Sequence, residues 1–139
     1  IMKIKELILI IFLFPSILWA NTKFFEDGLN FYNVKQFEKA KFKFEQDIVV
    51  NPKSEKSYLY LSKIFRNLNN KDLEEQNLKT VILLNPKNEE AIYNLARLKL
   101  ENSDYKKSKE LNEQLITLCK KLCSESKKLK LEIENLLKK

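Results

Sequence analysis

The 139-residue chain carries 26 Lys plus Arg against 19 Asp plus Glu, a formal net charge of +7, and no histidine. Without histidine it lacks the commonest general base, the commonest zinc ligand and the usual partner of a nucleophilic Ser or Cys. One glycine and three prolines exclude glycine-loop nucleotide folds and turn-dense β-sandwiches. The length allows one domain, and the reading is an all-α, non-enzymatic chain with no cofactor and no metal. Arg66 and Arg97 are the only arginines. Base readout favours the planar Arg fork, so the lysine excess is read as a solvated surface and not as a nucleic-acid site.

In residues 1–20, Lys3 and Lys5 precede an apolar run over 7–14, which Pro15 and Ser16 break before Trp19, Ala20 and the polar Asn21. A positive start, a short apolar stretch and a small residue at the cut make a secretory signal, with cleavage after Ala20 and a true start at Met2. No Cys follows the cut, so no lipid anchor is expected. The run falls short of the ~20 residues of a bilayer span, so no stable span is expected after cleavage.

Beyond the signal the sequence repeats. Asn51-Pro52 returns 34 residues later as Asn85-Pro86. Each period divides into two helical stretches separated by polar breaks at residues 33–35, 67–70 and 102–104. Apolar residues recur at helical spacing, as in Phe37, Phe44 and Ile48, then Tyr58, Leu61 and Phe65. Aligned on the Asn-Pro pair, Gly28, Ser62 and Ala96 fall together as small residues. A 34-residue helix-turn-helix period resembles the tetratricopeptide repeat (TPR) family. The first repeat, 21–54, matches the family pattern through Phe24, Gly28, Phe31, Ala40, Phe44 and Pro52. The second, 55–88, matches through Tyr58, Leu61, Ser62, Phe65 and Pro86. The third, 89–122, matches through Ile92, Leu95, Ala96 and Ser108, while Lys99, Asn112 and Lys120 depart from it. Asp27, Asp47 and Glu74 stand where Leu or Ala is usual, and these carboxylates are expected to lean into solvent, since a lone buried carboxylate is costly.

The third repeat is followed by 123–139, where Leu129, Ile133, Leu136 and Leu137 form one stripe. This stretch reads as a capping helix. Cys119 and Cys123 are the only cysteines. In an oxidising compartment an even pair favours a disulfide. Cβ atoms four residues apart on a helix lie about 5–6 Å apart, too far for a bond that wants about 3.8 Å. A bond therefore requires a helix break between the two, where the period independently ends.

The fold that the resemblance implies is a right-handed α-solenoid of three repeats plus a cap, with a concave groove lined by the first helix of each repeat. Its groove positions are Phe25, Leu29 and Tyr32, then Leu59, Lys63 and Arg66, then Tyr93, Arg97 and Leu100. Such a groove implies an adaptor that holds a protein or peptide segment with some acidic character. The family's clamp for a C-terminal carboxylate uses Lys and Asn where this chain has Phe25 and Leu29, and it is absent. A homo-oligomeric, self-assembling solenoid is the alternative. An enzyme would need a pair such as Ser62 and Lys63, but helix neighbours point about 100° apart. By analogy of fold, a signal-bearing chain of this kind resembles periplasmic scaffolds of Gram-negative bacteria.

Overall fold

A computed structural model describes residues 22–138. The signal segment assigned to residues 1–20 therefore lies outside the described residues. Among the described residues seven α-helices follow one another: α1 (Lys23–Asn33), α2 (Phe37–Val50), α3 (Glu55–Asn67), α4 (Lys71–Leu84), α5 (Glu89–Glu101), α6 (Tyr105–Leu118) and α7 (Cys123–Leu137). Each packs on its neighbours in sequence, giving three hairpins and a closing helix, and α5 also touches α7. No helix among the described residues is long and apolar enough to cross a membrane.

The turns within hairpins repeat with the sequence. Lys35, Asn69 and Ser103, spaced 34 apart, adopt φ of 59°, 54° and 61°. In each turn two backbone N–H groups reach back to close the preceding helix: Lys35 to Tyr32 O and Gln36 to Phe31 O, both at 2.9 Å, with equivalents at Asn69 and Asn70 and at Ser103 and Asp104. This paired closure needs a left-handed residue, normally Gly, yet here the positions hold Lys, Asn and Ser. Two of the following helices, α4 and α6, start on side-chain caps. Asn70 accepts from Leu73 N, and Asp104 from Lys107 N, both at 3.1 Å.

Gly28, Ser62 and Ala96 are buried, as are Ala40 and Ser108 on the facing helices. These small residues bring the helices of each hairpin close together, with large residues filling the remaining seam. One core cluster joins the first hairpin to α3 through Phe25, Phe44, Leu61, Ile64 and Phe65. A second runs from Leu59 through α4, α5 and α6 to Leu129 and Ile133 of α7. Thus α3 belongs to both, and α7 covers the far end of the second.

The expectation that the pattern-breaking carboxylates lean into solvent does not hold. Asp47 is 1% exposed and Glu74 3% exposed. Asp47 accepts hydrogen bonds from the hydroxyls of Thr22 and Ser57, so one carboxylate ties the start of α1, the end of α2 and the start of α3. Glu74 is held by Arg66 at 3.0 Å. Asp27, half-buried, lies 3.7 Å from Lys43. Burial is tolerated because each carboxylate has partners that replace water. The departures in the third repeat are also partnered. Asn112 Nδ2 donates to Ser126 O at 3.0 Å and its Oδ1 accepts from Ser126 Oγ at 2.8 Å, joining α6 to α7. Lys99 lies 2.7 Å from Glu75 of α4.

Candidate functional site

Ion pairs join α3 to α5 and α5 to the closing helix α7. Lys63 Nζ of α3 lies 2.7 Å from Glu90 Oε1 of α5, and Arg66 Nη2 lies 2.6 Å from Glu101 Oε1. Arg97 Nη1 of α5 lies 2.5 Å from Glu132 Oε2 of α7. Both Arg pairs span 35 residues, but they are offset by 31 and not by the 34-residue period, so the two arginines stand at different positions of their repeats.

These contacts divide the nine expected groove residues into three sets. Phe25, Leu59 and Leu100 lie in the core. The Phe25 ring packs at 5.6 Å from Phe44 and 6.0 Å from Tyr60, because its position faces the seam between helices and not the groove. Leu59 and Leu100 belong to the second cluster for the same reason. Lys63, Arg66 and Arg97 reach the surface, but their charges are spent on Glu90, Glu74, Glu101 and Glu132. Leu29, Tyr32 and Tyr93 remain half-buried, each showing part of its side chain. Tyr32 sits edge-on to Tyr60 at 5.1 Å, while Lys63 lies over the Tyr60 ring at 4.7 Å. Ser62, considered beside Lys63, turns inward and donates to Leu59 O at 2.7 Å.

Beside Tyr93 opens a depression of about 550 Å³, lined by Lys87, Asn88, Glu89, Glu90, Asn94, Lys121 and Leu122 together with Tyr93. The first turn of α5 forms one wall. Asn88 caps that helix by accepting from Ala91 N at 2.8 Å. The opposite wall is the loop after α6, drawn in by Glu89. Its carboxylate accepts from the backbone N–H groups of Lys120, Lys121 and Leu122 at 2.8, 2.9 and 2.9 Å. The bonds from Leu122 and Lys121 hold the Glu89 carboxyl below its ordinary range. Glu55, 34 residues earlier, likewise accepts from Asn85, at 3.0 and 3.1 Å, and from Asn88, which close the preceding repeat. A glutamate at the first position of a repeat therefore holds the loop that ends it.

Cys119 and Cys123 close the same loop with a disulfide, Cα to Cα 5.3 Å. Helix α6 stops at Leu118 and α7 begins at Cys123, so no helical turn separates the two sulfurs. The loop residues of the depression escape sequence reasoning because Glu89 and residues 120–122 lie more than 30 positions apart. The usable signal is the 34-residue spacing of Glu55 and Glu89 in front of two repeat-closing loops.

Three stacked helical hairpins, a closing helix and a 34-residue beat of turns and small residues define a helical-repeat solenoid. The chain has the tetratricopeptide repeat fold. It superposes on the TPR domain of Arabidopsis OM64 with a TM-score of 0.71 at 20% identity, covering 81% of this chain and 92% of that one. The first TPR of Spaghetti (RPAP3), bound to an HSP90 peptide, matches with a TM-score of 0.74 at 13% identity over 84% and 94% of the two chains. The Yersinia enterocolitica type III secretion chaperone SycD, in complex with a peptide of the translocator YopD, also gives 0.74, at 15% identity over 84% and 93%. No protein-family model and no curated protein matches the chain.

Proposed function

We propose that the protein is an interaction scaffold that holds a segment of another protein along the concave surface of α1, α3 and α5. The carrying observation is the depression at Tyr93, which combines a half-buried ring with the amide of Asn94 on one groove helix. An amphipathic ring provides contact area at low entropic cost, and neighbouring amides fix direction. Two solved structures of the same fold carry peptides, HSP90-derived in one and YopD-derived in the other. Because Lys63, Arg66 and Arg97 are neutralised within the chain, the segment it takes is read as apolar and amide-bearing, with acidic character secondary. The same commitment of both arginines favours a protein partner over a nucleic acid.

The chain is read as a leader over 1–20, three repeats over 21–122 and a cap over 123–139. It would be exported to the periplasm of a Gram-negative envelope, where a disulfide persists. No catalytic role and no cofactor enter this reading. Its test is affinity capture from the envelope with Tyr93→Ala and Asn94→Ala, beside Leu83→Ala on the exposed side of α4. Capture reduced about 10-fold by the first two and unchanged by the third supports the groove. Equal capture by all three rejects it.

A further inference from the structure

At one end of the solenoid α7 buries Leu129 and Ile133 and sets exposed Leu131 and Leu137 among exposed Lys127, Lys128, Lys130 and Glu132. At the other, the first hairpin contacts α3 through Phe44, Asp47 and Ile48 and exposes its opposite face. Phe42, 160° around α2 from buried Phe44, is 58% exposed, and Val49 on the same stripe is 78% exposed. Phe42 and Phe31 border a shallow depression of about 380 Å³, completed by Glu38, Lys39 and Lys43. Lys39 and Lys43 lie over Phe31 and Phe24 at 5.5 and 5.4 Å. Solenoid ends need a polar outer face, and an exposed aromatic face marks an interaction surface.

We infer that this face pairs with a second copy of the chain, α2 against α2 antiparallel, about a two-fold axis at Phe42. The stripe is self-complementary in that arrangement. Residues equidistant from Phe42 on its own face meet across the axis, so Lys39 faces Glu45 of the other copy and Glu38 faces its Gln46, while Lys41 and Lys43, about 100° to either side, flank the contact. Phe42 meets its own equivalent, and Val49 covers the stem of Lys35. Glu45 in the single chain is joined to Lys41 at 3.2 Å, an exposed i,i+4 pair of small worth, so it can turn to Lys39 at little cost. A closed isologous pairing covers both apolar faces at once and leaves the concave surfaces open.

Sedimentation equilibrium of the exported chain, its first residue fixed by N-terminal sequencing, tests the pairing. The mass should rise from one copy to two between micromolar and millimolar concentrations. Phe42→Lys should weaken association by about 100-fold with unchanged circular dichroism, since the side chain is 58% exposed. Lys39→Glu should weaken it by about 10-fold, and adding Glu45→Lys should restore it. A mass of one copy at all concentrations, or a dimer that Phe42→Lys leaves intact, overturns the inference. Association confined to chains that keep residues 1–20 overturns it too, by assigning the face to the leader.

Discussion

Gly28 has no room for a methyl group. A Cβ there would stand 2.7 Å from Phe44 Cε1 and 2.9 Å from Cδ1. The Phe44 ring is fully buried and stacked on Tyr60 at 5.2 Å, so it cannot swing away. Alanine ordinarily gains about 1 kcal/mol over glycine inside a helix. Here overpacking, worth about 1–3 kcal/mol, should reverse the sign, and Gly28→Ala should lower stability in urea unfolding. Lys35 presents the opposite case. Its left-handed conformation (φ 59°) costs a non-glycine residue about 1–2 kcal/mol, while glycine's extra unfolded-state entropy returns about 0.5–1 kcal/mol of that gain. Lys35→Gly should therefore stabilise the chain by about 0.5–1 kcal/mol in the same experiment. The small residues at 28, 62 and 96 are legible from the period alone. The left-handed positions are not, because Lys, Asn and Ser carry no glycine signal.

Between elements, the polar residues that break the repeat pattern are the ones that join neighbouring helices. Asp47, Glu74, Lys99 and Asn112 each read as a misfit in their own repeat, and each finds its partner on another helix. The sequence exposes the misfit but not the remedy, since the partner lies outside the local window. Replacing Asp47 with Ala leaves the hydroxyls of Thr22 and Ser57 without their acceptor and should cost about 2 kcal/mol. In a Ser57→Ala background the same change should cost about 1 kcal/mol less, the coupling expected of direct partners. The ties also set the pH response. Glu89 has a folded-state pKa below its unfolded value, so its contribution is present above the ordinary glutamate range and lost as pH falls through the folded value. Hydrogen bonding to Lys79 and Lys99 shifts Glu75 in the same direction. Burial raises Glu74 against the opposing pull of Arg66, so protonation there relieves a cost as pH falls. Glu89→Gln should lower Tm at pH 7, and the deficit should shrink as the pH drops below about 4.

For the molecule as a whole, helix order, hairpin pairing and the closing role of α7 follow from one period and one change of pattern near residue 123. The groove was less legible. The positions that line it by resemblance separate into core (Phe25, Leu59, Leu100), charge-committed (Lys63, Arg66, Arg97) and half-exposed residues (Leu29, Tyr32, Tyr93). Only contacts between repeats decide which is which. The depression beside Tyr93 and Asn94 is walled by a loop that Glu89 and the disulfide both hold. A photo-crosslinking side chain placed at Asn94, compared in the native envelope with one at Lys106 on the exposed face of α6, tests the groove most directly. The account predicts one discrete protein adduct from position 94 and none from 106. The same adduct from both positions, or from 106 alone, would contradict it.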